Sequence, residues 1–189
     1  MSGTWVVVLA GGASRRFGSD KLAADLDGRT LLDATLASVP DGLPVVVVGP
    51  RRPVRREVTF VVEDPPGGGP AAGLVAGLRL ALDGGAELVT TLPGDAPAAG
   101  GAVALLLDAL DPHDLAVAVG EDGQVFPLQL ACTRDGADRF LALAGDGAGM
   151  SPRRLLEPLD PVRVEVGPSA LRDVDRPEDL GAVRGGPTG

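Results

Sequence analysis

The chain has 189 residues, of which 44% are hydrophobic and 23% charged, and its formal net charge is −9. This composition fits one globular domain with a buried core, and the negative charge argues against binding to nucleic-acid backbones. The sequence has no basic-then-apolar leader and no apolar run of the roughly 18 residues that a membrane helix needs. A single cysteine and a single histidine exclude an intramolecular disulfide and a Cys/His zinc site. We therefore expect a cytoplasmic protein that binds neither nucleic acid nor membranes.

Apolar, β-branched segments alternate along the chain with segments of helical character. The predicted strands are Trp5–Ala10, Pro44–Val48, Val58–Val62, Leu88–Leu92, Leu115–Val119, Phe126–Ala131 and Val162–Val166. The predicted helices are Leu31–Val39, Ala71–Leu82, Ala102–Leu110, Asp135–Ala144, Arg153–Leu156 and Glu178–Val183. This alternation is typical of βαβ units, and the unbroken valine run at 45–48 favours a strand buried on both faces.

These elements predict a three-layer α/β/α fold with a Rossmann-like, mostly parallel sheet. Ligands of such folds bind at the carboxyl ends of the strands. We expect one domain over residues 1–184, followed by a disordered tail over residues 185–189.

The loop after the first predicted strand has the composition of an anion-binding loop. Residues 9–21 read LAGGASRRFGSDK. Paired glycines allow backbone N–H groups to approach a phosphate, and Arg15, Arg16 and Lys21 make the loop cationic within an acidic protein. Lys21 is the only lysine beside 16 arginines, which suggests a position where an ammonium group is required. A bound polyphosphate is one interpretation, and a solvated glycine loop is the alternative.

The same loop resembles the signature of the molybdenum cofactor guanylyltransferase (MobA-like) family of nucleotidyltransferases, LAGGxSxRxGxDK. Four later segments resemble further motifs of this family, in the same order, and the first of them is Glu63-Asp64, which is similar to its acidic residue after the third strand. Gly69–Leu74 is similar to its Gly-Pro-Leu-Ala-Gly loop, Leu92–Pro97 to its Asp-x-Pro metal loop, and Asp173–Leu180 to its closing Asp-x-[Asp/Asn]-Thr-Pro-Glu-Asp-Leu. The resemblance extends over nearly the whole chain.

The resemblance implies an enzyme that transfers GMP from GTP to the phosphate of molybdopterin, releases pyrophosphate and uses Mg²⁺ as its cofactor. It also implies transient contact with a molybdoenzyme or its chaperone. The residues that it places on the nucleotide are Leu9, Ala10, Gly11, Gly12, Lys21, Gly49, Asp64 and Asp95. We expect Lys21, Asp95 and Arg16 to take part in catalysis, and Asp95 and Asp175 to bind the metal.

The residues themselves leave alternatives open for the acidic side chains. Asp95 follows the predicted strand at 88–92, where it could bind Mg²⁺ beside the first loop or serve as a turn residue. Asp173 and Asp175 lie two residues apart on one face of an extended segment, so one of them could be a second ligand. Asp175 also fits the N-cap of the helix predicted at 178–183.

The acceptor is the least determined part of the predicted function. Alternatives are a cytidylyltransferase or another nucleotidyltransferase acting on molybdopterin or on a sugar or polyol phosphate, and a nucleotide-binding regulatory protein without turnover. Four arginines that follow the second strand, Arg51, Arg52, Arg55 and Arg56, could contact an acceptor phosphate. A solvated surface run is the favoured interpretation of these arginines.

Overall fold

The computed structural model describes residues 3–12, 17 and 20–183. Arg16, which we predict to be catalytic, and the predicted tail at 185–189 lie outside the described residues. Within the described part of the chain, no helix is long and apolar enough to cross a lipid bilayer.

Nine strands and seven α-helices are described. The strands are β1 Thr4–Leu9, β2 Asp25–Leu26, β3 Arg29–Thr30, β4 Val45–Val48, β5 Thr59–Val61, β6 Leu88–Pro93, β7 Leu115–Val119, β8 Val125–Thr133 and β9 Val162–Glu165. The helices are α1 Leu31–Ser38, α2 Pro70–Asp83, α3 Val103–Asp108, α4 Arg134–Ala144, α5 Pro152–Leu156, α6 Pro168–Leu171 and α7 Asp179–Val183. Short 3-10 turns lie at Lys21–Ala23, Ala99–Ala102 and Glu157–Leu159.

Seven strands form the central sheet, in the order β5-β4-β1-β6-β8-β7-β9, and β2 pairs with β3 in a small hairpin. All neighbouring pairs of the large sheet are parallel except those of β8, which runs antiparallel to β6 and β7. Helices α2, α4 and α5 contribute to the core on one face, and α1, α3 and α6 contribute on the other. The prediction of a three-layer α/β fold with a mostly parallel sheet is therefore confirmed.

The centre of the sheet is made by valines, whose branched side chains fit a pleated surface covered on both sides. Val6, Val7 and Val8 of β1 are fully buried, and their side chains alternate between the two cores. Helix α2 lies directly on β1 because it presents Gly77 there. A Cβ at Gly77 would come within 2.3 Å of Val7 Cγ1 and 2.9 Å of Val48 Cγ2.

The local structure differs from the sequence expectations in several places. The predicted helix Ala102–Leu110 is a 3-10 turn followed by the shorter α3, and the hairpin of β2 and β3 was not predicted. The N-cap alternative for Asp175 is wrong, because α7 begins four residues later. The Asp179 carboxylate instead accepts the backbone N–H groups of Asp175 and Arg176, at 3.0 and 2.7 Å.

Candidate active site

An open cleft of about 840 Å³ lies at the carboxyl ends of the parallel strands. Its walls come from the ends of β1, β4 and β6, the segment after β5, the start of α2 and one residue of β8. The lining residues are Leu9, Gly11, Gly12, Val48, Pro50, Val62, Glu63, Gly67, Gly69, Pro70, Gly73, Pro93, Asp95 and Leu128. Its volume is typical of a small-molecule site, and its position follows the general rule for open α/β sheets.

The described start of the glycine loop contributes three residues to the wall of this cleft. Leu9, Gly11 and Gly12 line the cleft as expected. Ala10 does not, because it is fully buried and its N–H donates to the Val48 carbonyl at 2.7 Å. The Ala10 N–H is thus already committed to the sheet, and the backbone groups placed to meet an anion are those of the two glycines.

Gly49 supports the loop from behind instead of facing the cleft. It is buried, with a φ of +143°, and its own N–H donates to the Val61 carbonyl at 2.7 Å. A Cβ here would come within 2.6 Å of the Ala10 carbonyl oxygen and 2.9 Å of the Gly11 nitrogen. Only glycine allows the end of β4 to approach the loop so closely, so Gly49 has a packing role, and the nucleotide contact expected at this residue stays a prediction.

Lys21 and Asp95 meet beside the loop although they are far apart in the sequence. Asp20 caps the 3-10 turn by accepting the Leu22 N–H at 3.3 Å, and this turn carries Lys21. The Lys21 Nζ lies 2.5 Å from Asp95 Oδ2, 3.3 Å from Asp175 Oδ1 and 3.2 Å from the Val174 carbonyl. Burial acts to lower the pKa of Lys21, but the hydrogen bonds and charges of Asp95 and Asp175 outweigh it and raise the pKa above its ordinary value.

Asp95, Asp173 and Asp175 form an acidic cluster around this ammonium group. One carboxylate oxygen from each lies within 4.8 Å of the others. The segment that carries Asp173 and Asp175 is fixed beside Asp95, because the Val174 N–H donates to the Asp95 carbonyl at 3.0 Å and the Val174 side chain is buried. Burial, followed by the charges of Asp95 and Asp175, raises the pKa of Asp173. The cluster brings together the three carboxylates that the sequence offered as metal ligands.

The acidic side chain that lines the cleft after β5 is Glu63, and Asp64, at which we predict a nucleotide contact, is not part of this lining. Glu63 Oε1 accepts the Gly67 N–H at 3.2 Å, at the turn that leads into α2. Asp64 is exposed and lines a separate depression that it shares with Arg79. Neighbouring side chains of an extended segment point to opposite sides, so only one of this acidic pair can face the cleft.

The arginines after β4 are not all solvated, contrary to the favoured interpretation. Arg52 is largely buried and forms a bidentate ion pair with Asp20, with Nε–Oδ2 and Nη2–Oδ1 distances of 2.7 and 3.1 Å. Arg56 donates four hydrogen bonds to backbone carbonyls at and after the end of α1, from Leu36 to Leu43. Such carbonyls have no partner within their helix, and a guanidinium group can satisfy several of them at once. A charge run in the sequence does not reveal these carbonyls.

Comparison with known proteins gives matches along most of the chain. The family model described as the MobA-like NTP transferase domain matches residues 6–163. A molybdenum cofactor guanylyltransferase from Acidiphilium cryptum is 36% identical over 149 residues, which are 76% of this chain and 73% of that protein. A probable molybdenum cofactor guanylyltransferase from Opitutus terrae is 39% identical over 95 residues, 48% of this chain and 47% of that protein.

The fold has a counterpart among solved structures. The crystal structure of molybdopterin-guanine dinucleotide biosynthesis protein A from Archaeoglobus fulgidus superposes with a TM-score of 0.74 and 22% identity, covering 95% of this chain and 96% of that chain. At that identity the similarity concerns the fold. The family model and the relative from Acidiphilium cryptum carry the assignment further, as the signature loop predicted: this chain belongs to the family of MobA-like NTP transferase domains.

Proposed function

We propose that this protein is a molybdenum cofactor guanylyltransferase, which transfers GMP from GTP to the terminal phosphate of molybdopterin and releases pyrophosphate. The observation that carries the proposal is the contact between Lys21 Nζ and Asp95 Oδ2 at the edge of the cleft. A group that neutralises phosphates and a carboxylate that suits a metal meet beside the Gly11-Gly12 backbone. The name of the relative from Acidiphilium cryptum supplies the acceptor.

The triphosphate would lie between the glycine loop and Lys21. Backbone N–H groups of closely spaced glycines form an anion-binding concavity, and the start of α2 adds the partial positive charge of a helix N-terminus. Because its pKa is raised, Lys21 is fully charged at neutral pH and can balance charge that develops on the phosphates. The cationic part of the site is thus in place in an otherwise acidic protein.

The reaction needs no protein nucleophile. A phosphate monoester has its second pKa near about 6, so the acceptor is already largely a dianion at pH 7. Catalysis then consists of aligning this anion with the α-phosphorus of GTP and neutralising charge on the leaving pyrophosphate. Within this chain, Lys21 and the loop amides supply that neutralisation.

The acidic cluster fits Mg²⁺ by its donor chemistry. Mg²⁺ prefers oxygen ligands, and it is commonly bound by one or two carboxylates together with phosphate oxygens and water. Asp95 is the carboxylate that lines the cleft, and Asp175 or Asp173 would supply a second oxygen. When bound, the ion would neutralise phosphate oxygens and hold them in line for displacement.

Glu63 is the residue best placed to select guanine. Guanine presents two neighbouring donors, N1–H and the N2 amino group, and a carboxylate can accept both. Adenine and cytosine each present a donor beside an acceptor at the same edge, and that acceptor would face the negative carboxylate. Glu63 lines the cleft and has a cleft-side partner in the Gly67 N–H.

Thermal unfolding with each of the four nucleoside triphosphates and Mg²⁺ tests the proposal. Ligand at 100 times its Kd stabilises a protein by about 2.7 kcal/mol, which corresponds to a rise in Tm of about 5–10 °C for a chain of this size. We expect this rise with GTP alone among the four, and release of pyrophosphate only when molybdopterin is added. A larger rise with CTP, or turnover with a sugar phosphate in place of molybdopterin, would contradict the proposal.

The adjacent acidic pair offers a matched comparison for base selection. Glu63→Gln should weaken GTP binding at least about tenfold, the scale of one charge-assisted hydrogen bond, and should not weaken ATP binding. Asp64→Asn removes the same charge one residue away and should leave GTP binding unchanged. Equal loss for GTP and ATP in Glu63→Gln would point to a ribose contact instead of base selection.

A further inference from the structure

Arg52 connects the two ends of the glycine loop through a single guanidinium group. Nη1 donates to the carbonyl of Ala10, the residue before Gly11, at 2.9 Å, and to the Pro50 carbonyl at 3.2 Å. Nε and Nη2 donate to both carboxylate oxygens of Asp20, the residue before Lys21, at 2.7 and 3.1 Å. One side chain thus spans a loop of nine residues, 11–19, by binding the residues on either side of it.

The other end of Arg52 is anchored to the sheet. Arg52 follows β4, which pairs with β1 and β5. Its side chain is only 14% exposed, which is unusual for an arginine and reflects partners on three sides. Arg52 therefore connects the residues on either side of the loop, Ala10 and Asp20, to the end of β4 in the central sheet.

Asp20 transmits this constraint to Lys21. Its Oδ1 accepts the Leu22 N–H at 3.3 Å, so the carboxylate that binds Arg52 also caps the 3-10 turn that begins at Lys21. The hydrogen bond from Arg52 is the main reason that the pKa of Asp20 lies below its ordinary value. The orientation of this turn decides where the Lys21 ammonium points.

We propose that Arg52 is a positioning residue, which holds the Gly11-Gly12 amides and the Lys21 ammonium at the spacing of one bound triphosphate. This inference rests on the proposed nucleotide-binding function and adds to it a residue outside the cleft. Lysine would not replace Arg52, because its ammonium group lacks the planar fork that binds a carboxylate at two points while a third nitrogen binds a carbonyl.

The distinctive consequence concerns the phosphates of the ligand. The spacing between the Gly11-Gly12 amides and the Lys21 ammonium affects the binding of the phosphates and not that of the nucleoside. Loss of Arg52 should therefore weaken binding progressively from guanosine, where the effect is absent, through GMP and GDP to GTP, where it is largest. A residue that only stabilises the fold would weaken all four ligands equally or none of them.

Calorimetric titration of Arg52→Gln with guanosine, GMP, GDP and GTP tests this consequence. Arg51→Gln is the matched control, since it removes the same charge at the neighbouring position, where Arg51 lies over the Phe60 ring at 5.4 Å. We expect Arg52→Gln to weaken GTP binding about 10- to 100-fold relative to Arg51→Gln, the range for losing a charge-assisted, bidentate pair, with guanosine binding unchanged. Arg52→Lys should recover less than half of the logarithmic loss.

A double-mutant cycle with Asp20→Asn keeps the test informative if Arg52→Gln folds poorly. Asp20→Asn should reproduce the phosphate-dependent loss, and combining it with Arg52→Lys should add little further loss because both act through one contact. GTP binding in Arg52→Gln that equals that of Arg51→Gln, or equal weakening of guanosine and GTP, would overturn the positioning role alone. A wild-type protein that binds none of the four ligands would instead overturn the proposed function on which the inference rests.

Discussion

Lys21→Met is the perturbation whose effect on stability follows most directly from the structure. Methionine keeps an unbranched chain of similar length and removes only the charge. In the wild type, the Lys21 and Asp95 side chains are each 19% exposed, and Asp175 adds a second contact at 3.3 Å. In the variant, three carboxylates with oxygens within 4.8 Å of one another lose their neutralising partner. We therefore expect the variant to unfold more easily.

The loss in the free energy of unfolding of Lys21→Met lies between the values for a buried and an exposed ion pair. Breaking a fully buried ion pair costs about 3–5 kcal/mol, and breaking an exposed pair costs less than about 1 kcal/mol. For side chains about one-fifth exposed, we expect a loss of about 2 kcal/mol at pH 7, or about 4–8 °C in Tm. Arg139→Met is the control, because the Arg139–Asp114 pair is 3.6 Å apart with both side chains about half exposed, and its loss should stay below about 0.5 kcal/mol.

Urea unfolding at several pH values in the presence of a chelator measures this loss. The folded-state pKa of Lys21 is raised, so its stabilisation is complete below the ordinary lysine pKa of about 10.4 and disappears only as pH rises through the folded-state value. At the acid end the loss should shrink once Asp173, whose pKa is raised, becomes protonated, because the cluster then carries less negative charge for the ammonium to neutralise. Saturating Mg²⁺ should also reduce the loss, since on the proposed function the ion would neutralise the same oxygens. A Lys21→Met protein as stable as the wild type at pH 7, or equally destabilised at pH 3 and pH 7, would refute the electrostatic argument.

Three further predictions concern other parts of the molecule. Gly77→Ala should destabilise the protein by about 1–3 kcal/mol in urea unfolding, because its Cβ would lie 2.3 Å from Val7 Cγ1, whereas Gly181→Ala, with open space around it in α7, should be neutral or slightly stabilising. Asp173→Asn should raise Tm slightly at pH 7 and not at pH 3. The pKa of Asp173 is raised, so its stability contribution is lost as the pH rises through the folded-state value, and the ionised carboxylate costs stability at pH 7. A lower Tm of the variant at pH 7 would contradict this. Burial raises the pKa of Cys132 to about 12, so its thiol should react with a disulfide reagent at pH 8 only after denaturation, and rapid reaction of the native protein would contradict the buried position.

Local patterns in the sequence were sufficient for the architecture. The valine-rich strands were predicted to within one or two residues at most ends, since β-branched runs between turn residues have few alternatives to a buried strand. The signature loop was sufficient for the family, because all nine specified positions of a thirteen-residue pattern matched. The short hairpin of β2 and β3 escaped prediction, as two-residue strands leave no periodicity to detect.

The opposite orientations of Glu63 and Asp64 show where such patterns stop. Both residues are acidic and adjacent, and their residue types alone give no reason to prefer one. The family resemblance placed Asp64 on the nucleotide, whereas the structure has Glu63 in the lining of the cleft. The turn that presents the Gly67 N–H to Glu63 made the difference. A contact of this kind depends on the path of a loop in space, which residue types alone do not specify.

What the sequence determined by itself is which chemical groups are present and on which elements they lie: a glycine loop, one ammonium group and aspartates at the ends of extended segments. Only the tertiary structure decided that Lys21 meets Asp175, 154 residues away, and that Arg52 ties the loop to the sheet instead of facing solvent. The physical reason is the distance along the chain over which each kind of interaction acts. Backbone propensity and periodicity act over a few neighbouring residues, whereas charge pairing and burial depend on the strand order that brings distant segments to one edge of the sheet.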